Sequence, residues 1–313
     1  MVDFNAFWLS LYISGSYVAA IYATHKGSEN YPSGRDDPRV IRRRIKRVCL
    51  ISLLNIFKIP WILHSQSQNL SYTQAFLNLG LIPGYYRDDR WDLGIYFYDI
   101  GRVVTLIFML YVGPLLDSFL YLVFASRKRG LREFKNEVAS IWGIRNYIFA
   151  PFTEELFYTS MILNTYLALK PRGELNFSLL IWQTPLFFGL AHLHHAYELH
   201  QQGMMTWPAI LLNTLFQTTY TTLFGSLTNY IFIKSGGNLW ACIVVHAICN
   251  YMGFPESSRL ETHFSVVKRS NNIYIINLIK LWKKCYIILL LMGLLFFKNF
   301  YAALIESDKS IQW

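Results

Sequence analysis

Charge is what this chain has least of. Only 15% of its 313 residues are Asp, Glu, Lys or Arg, against roughly 25% in an average soluble domain. Cysteine is also scarce. Cys49, Cys242, Cys249 and Cys285 show no CxxC or other metal-type spacing, and three of them lie in apolar stretches. That argues against a disulfide framework and reads them as small buried hydrophobes. No internal repeat is visible, and the first apolar run lacks a basic segment ahead of it, having Asp3 there and Asn5, Ser10 and Ser14 within. It reads as a retained anchor, not a cleaved signal peptide. What the chain has instead is apolar bulk: 53% hydrophobic residues, 17% aromatic, with 23 Phe, 21 Tyr and 9 Trp. Disordered, collagen-like and disulfide-scaffold classes are excluded, and an ordinary soluble enzyme is disfavoured.

Apolar runs cover about 4–22, 48–63, 102–125, 146–169, 176–195, 208–233, 239–254 and 273–297. A helix needs about 20 residues to cross the hydrocarbon core, and most of these qualify. The run at 48–63 is short and carries Lys58 and Pro60, and 72–86 is too short to cross alone, so it reads as re-entrant or interfacial. The expected fold is all-α, a polytopic membrane bundle of about eight transmembrane helices. Its parts are expected to be N-terminal spans and basic loops at 1–140, a catalytic core at 141–255, and a last loop and span at 256–313, integrated into one membrane domain.

The net charge of +10 comes from 29 Lys and Arg over 19 Asp and Glu, and its distribution gives it meaning. Lys26, Arg35, Arg39, Arg42, Arg43, Arg44, Lys46 and Arg47 fall in the first connection; Arg127, Lys128, Arg129, Arg132, Lys135 and Arg145 fall before the run at 146. Positive residues flanking spans stay cytosolic, so both connections are expected on that side. The charge is an orientation signal and needs no nucleic acid. The segment 64–101, balanced by Arg87, Asp88, Asp89, Arg90 and Asp92, is expected on the other side.

An ionised group near the bilayer centre costs about 2.5–3.5 kcal/mol on insertion scales, so polar residues inside apolar runs mark candidate chemistry. Glu154 and Glu155 lie in RNYIFAPFTEELFYTSMIL. Adjacent helical residues point about 100° apart, so one is expected to face a cavity and the other a neighbouring helix; the bland alternative makes Thr153 an N-cap. His192, His194, His195 and His200 lie in FFGLAHLHHAYELHQQ, with His192 at i+4 from Phe188 and at i−3 from His195; a metal site is conceivable there. His246 and Asn250 share one face of WACIVVHAICNYMGF. Asp117 stands alone after Pro114 and reads as structural, satisfying backbone freed by the proline. If each later run crosses once, Glu154 and His246 both lie about 12 Å from the cytosolic end of their spans, and His192 about 5 Å. Three separate clusters share one half of the bilayer.

Carboxylate and imidazole can deprotonate water and deliver it to a carbonyl, while a second imidazole and an amide stabilise the oxyanion. Glu154, His192, His246 and Asn250 thus suffice for amide hydrolysis without a Ser or Cys nucleophile. A Glu–His–His set can equally hold Zn²⁺, though no HExxH is present. There is no rhomboid-type GxSG either, although SGG at 235–237 comes near. Cys242, four residues before His246, leaves a thiol mechanism open. Proton-coupled transport is a further alternative, since intramembrane Glu and His also build proton relays.

The EE pair followed by an apolar helix, then FxxxH from Phe188 to His192, then HxxxN from His246 to Asn250, resembles the type II CAAX prenyl endopeptidases. About a third of the chain, 142–254, carries the likeness. It implies removal of the last three residues from isoprenylated CAAX proteins, small GTPases among them, at the endoplasmic reticulum membrane, with the site open to the cytosol. Glu154 then matches the catalytic base, His192 its partner on the water, His246 and Asn250 the oxyanion donors, and Glu155 a supporting carboxylate; no cofactor is expected, with zinc as the alternative. Many members read EExxxR, whereas Thr159 stands here at the sixth position, so the Arg that would anchor the second Glu is absent. The chain ends SIQW and not in a CaaX, which reads it as a processor of such tails.

Overall fold

The computed structural model describes residues 4–22, 36–254 and 272–312, apart from positions 68, 88, 126 and 204. Lys26, Arg35 and Asp88 lie outside them. The chain is helical almost throughout, because in lipid each backbone polar group must find its partner within its own segment.

α1 (Phe4–Tyr22) is the first apolar run. The first basic cluster is not a loop. Asp37 caps a helix by accepting from the Arg39 amide, and Pro38 sits in the first turn, where its missing N–H is no loss. From there α2 (Pro38–Gln66) runs 29 residues, about 43 Å. The doubtful span at 48–63 is its C-terminal part, and the arginines ride on an extension of the same helix. α3 (Tyr72–Leu77), closed by a capping box of Ser71 and Gln74, and a hairpin of β1 (Tyr85–Tyr86) and β2 (Arg90–Trp91) fill the next connection.

Proline divides the run at 102–125. The Pro114 ring crowds the carbonyl of Leu110, so α4 (Leu93–Leu110) ends at Tyr111 and α5 (Val112–Ala125) begins anew. Asp117 accepts the indole N–H of Trp282 at 3.0 Å, a bond between helices. The second basic cluster is likewise helical, as α6 (Arg127–Ala139).

Residues 141–169 form one helical rod, α7, with two π turns in it, Ile144–Phe149 and Glu155–Met161. Pro151 cannot donate back to Tyr147, and ahead of it the Ala150 amide reaches the Arg145 carbonyl five residues back. The run 176–195 is broken too. A π turn, Leu179–Gln183, leads through Pro185 to α8 (Leu186–Ala191), capped by His192, and then to α9 (His194–Gln202), which Gly203 ends in the left-handed region at φ 65°. α10 (Trp207–Lys234) and α11 (Leu239–Met252) are joined by the SGG turn, where Gly236 and Gly237 have φ of 70° and 94°. α12 (Ile273–Ile305) closes the bundle against α4.

Among the described residues three helices are long and apolar enough to cross a bilayer: Pro38–Gln66, Leu93–Leu110 and Ile276–Ile305. The other runs survive as helices, but α11 has only 14 residues, about 21 Å against a core of about 30 Å. Eight crossings are therefore not reproduced by helix length alone.

α7 is the axis of the molecule. Leu156, Phe157, Met161, Ile162 and Leu163 are fully buried, packed in one core with Phe232 of α10 and Cys242 and Val245 of α11. The outer faces are apolar as well: Leu50, Leu53, Leu54, Phe57 and Trp61 of α2 and Leu211, Leu212 and Leu215 of α10 stand exposed. Such continuous apolar surface is expected where lipid is the solvent.

Candidate active site

α7 and α11 bring the two carboxylates and His246 together. His246 Nδ1–H donates to Glu155 Oε1 at 2.7 Å, and its Nε2 lies 3.7 Å from Glu154 Oε2. One imidazole thus stands between two carboxylates, its ring 4.7 Å from that of Phe224. Glu155 is 1% exposed, and its second oxygen accepts from Thr159 Oγ1 at 2.7 Å, with Thr228 Oγ1 a further 3.0 Å away. Thr159 therefore satisfies the carboxylate that lacks the family arginine.

Glu154 faces the other way. It lines a cavity of about 130 Å³ together with His192 and Tyr158, enough for several waters. The expected division, with one carboxylate toward a cavity and one toward a neighbouring helix, is what the helix produces. The N-cap alternative fails: Thr153 lies inside the rod and donates to the Phe149 carbonyl four residues back, at 2.9 Å.

His192 is oriented by its own turn. The Phe188 carbonyl can only accept, so Nδ1–H donates to it at 2.9 Å and Nε2 keeps its lone pair for the cavity. The FxxxH spacing thus has a local cause, with the Phe188 ring 5.0 Å from the imidazole and stacked on Tyr158.

Asn250 is not brought into the cavity. It is exposed, and its amide donates to the Asn146 carbonyl at 2.9 Å, tying α11 to the first π turn of α7. Cys242 is fully buried, donates its thiol to the Thr228 carbonyl and does not line the cavity of Glu154 and His192. His200 lies farther out, its ring stacked on Trp207.

Sequence reasoning passed over Tyr17 of α1. Its hydroxyl lies 3.1 Å from Thr153 Oγ1 and 3.5 Å from Glu154 Oε1. Nothing in the periodicity of α1 singles out that tyrosine, because its partners are 136 and 137 residues away.

A second cluster sits at the edge of the cavity. His194, His195 and Glu198 place one ligand atom each within 4.8 Å of one another, the one such group among the described residues. Glu198 also accepts from Arg44 at 2.8 Å and from His195 at 3.1 Å. Burial pushes its carboxyl up, but the His195 bond and the Arg44 guanidinium outweigh burial and hold it below the ordinary carboxylate range. A guanidinium already bonded there disfavours a second cation.

A family model described as Type II CAAX prenyl endopeptidase Rce1-like matches residues 136–252, the span that contains every residue of the cluster. "CAAX prenyl protease 2" of Saccharomyces cerevisiae is 47% identical over 305 residues, covering 96% of this chain and 95% of that protein. The human protein of the same name is 29% identical over 79% of this chain and 71% of its own length. "Probable CAAX prenyl protease 2" of Schizosaccharomyces pombe is 25% identical over 80% and 82%. No solved structure matches the chain significantly.

Proposed function

The chain belongs to the type II CAAX prenyl endopeptidases, and from that premise we propose how it works and where. It removes the C-terminal aaX tripeptide from isoprenylated CAAX proteins, small GTPases among them, at the endoplasmic reticulum membrane, with the site open to the cytosol. The observation that carries the reading is that Glu154 shares a water-sized cavity with His192 while Glu155 is fully occupied by His246 and Thr159.

In this mechanism Glu154 and His192 Nε2 hold a water against the scissile carbonyl, and Glu154 takes its proton as the oxygen attacks. The Glu155 carboxylate supports positive charge on His246, whose Nε2–H then donates to the oxyanion. Asn250 is the second proposed donor; for this it must exchange the Asn146 carbonyl for the oxyanion. Glu154 returns the proton to the leaving amine, the C–N bond breaks, and the tripeptide departs. The lipid chain has a place beside the peptide. A cavity of about 920 Å³, lined by Phe7, Leu11, Leu186, Phe187 and Leu190, shares Val18, Ala191 and His194 with the catalytic one, a volume in the range of small-molecule sites.

We take the chemistry to be metal-free. The zinc alternative is a Glu–His–His set of Glu154, His192 and His246; among the described residues the group whose ligand atoms converge is instead His194, His195 and Glu198, and loss of activity on chelation with rescue by added zinc would favour a metal. The central test is cleavage of a prenylated and an unprenylated CaaX peptide by purified protein. Glu154→Ala is expected to lower cleavage of the prenylated peptide by at least about 10²–10⁴-fold; full retained activity overturns the assignment.

A further inference from the structure

Every C-terminal tripeptide carries a negative charge at its far end, and the site it enters already holds Glu154 and Glu155. A third carboxylate in a largely apolar cavity is unfavourable unless a cation meets it. Building on the endopeptidase reading above, we infer that Arg145 is that cation and binds the free α-carboxylate of the substrate's last residue.

Position is the first support. Arg145 lines the same cavity as Glu154 and His192. The two residues are nine apart on α7, which at about 1.5 Å per residue is about 13 Å, less in the π turns. The attacking water sits about 3 Å from the carboxylate that holds it, and the reacting carbonyl just beyond that water. Three extended residues beyond it reach at most about 10 Å. A peptide laid along α7 with its scissile bond at Glu154 therefore ends beside Arg145. The rod acts as a ruler for three residues.

Bonding is the second. Arg145 Nε donates to Asn146 Oδ1 at 2.8 Å and Nη1 to Asp36 Oδ1 at 2.9 Å. Nη2 is left for a ligand. Asp36 is half exposed, with 51% of its side chain accessible, so that ion pair is weak and easily exchanged. The guanidinium is thus aimed by its neighbours and not neutralised in a buried pair. Arg44, by contrast, gives Nη2 to the buried Glu198. It lines the same cavity with its Nε buried and without a hydrogen-bond partner. A planar guanidinium is well matched to a carboxylate.

The test compares a prenylated CaaX peptide ending in a free acid with the same peptide ending in a carboxamide, on the full chain. For the wild type, amidation is expected to lower kcat/KM by about 10- to 100-fold, chiefly through KM, as loss of a charge-assisted bond does. Arg145→Gln is expected to suffer the same loss on the acid and to cleave the amide as well as the wild type does, so discrimination disappears; Arg145→Lys keeps part of it. Wild-type protein that cleaves acid and amide equally overturns the inference and leaves the endopeptidase reading intact. So does Arg145→Gln that still discriminates fully. Failure to cleave either peptide overturns the endopeptidase reading, and this inference with it.

Discussion

Thr159 shows what a single hydroxyl does when it replaces a charge. Its Oγ1 donates to Glu155 Oε2 at 2.7 Å inside a core where both residues are buried. Thr159→Val keeps the shape and removes the donor, leaving a buried carboxylate oxygen short of a partner at a cost of about 1–3 kcal/mol. The expected result is a lower thermal midpoint in detergent and slower peptide cleavage, because Glu155 supports the positive charge on His246; Thr159→Ser is expected to restore both. A variant with Val that matches wild type in both readouts would show that Glu155 needs no such donor. The sequence pointed to the gap at this position but not to its filling, because i+4 spacing permits a Thr–Glu bond without requiring one. Tyr17 was not legible at all. Its value lies in a contact with Glu154 across more than a hundred residues of chain, and short-range patterns carry no such information.

Between elements, close approach is set by small residues and by ion pairs. α8, which ends at His192, packs on α10 through Gly189; a Cβ there would lie 2.0 Å from Thr222 Oγ1 and 2.8 Å from the Thr218 carbonyl. Gly189→Ala is expected to push the two helices apart, with a loss of about 1–3 kcal/mol, and to lower kcat by displacing His192; unchanged unfolding and turnover would sink this account. α2 meets α9 through Arg44 and Glu198. Because the folded carboxyl titrates below its ordinary value of 4.5, the pair contributes fully above that pH, and its contribution falls as pH drops below it. Thermal stability measured from pH 6 down to about pH 2 is expected to decline less steeply for Glu198→Gln than for wild type; equal slopes would assign no such linkage. At this scale hydropathy places the apolar segments correctly but not their ends. Hydropathy treats the arginines of α2 as a loop because charge ends an apolar run, whereas Asp37 and Pro38 start a helix before them. Pro114 and Pro151 then break or widen helices that hydropathy treats as continuous, since hydropathy registers no missing N–H.

For the whole molecule, the basic groups of α2 and α6 set the orientation expected in a membrane. An engineered glycosylation acceptor in the hairpin between β1 and β2 is expected to be modified, and one placed just after Ala139 is not; the reverse pattern would invert the topology and turn the catalytic cavity away from the cytosol.

The sequence by itself determined the apolar surroundings of this protein, the two stretches in which its positive charge gathers and the small set of polar residues worth their cost in an apolar interior. These are one-dimensional quantities, fixed by composition and by spacing along a helix. Only the tertiary structure decided what those residues do to one another: that Glu155 and Glu154 flank one imidazole, that Asn250 turns to the Asn146 carbonyl, and that Arg145 shares a cavity with Glu154. Each depends on how α1, α2, α7 and α11 pack, and packing direction is set by side-chain shape across helices distant in sequence, which periodicity does not encode.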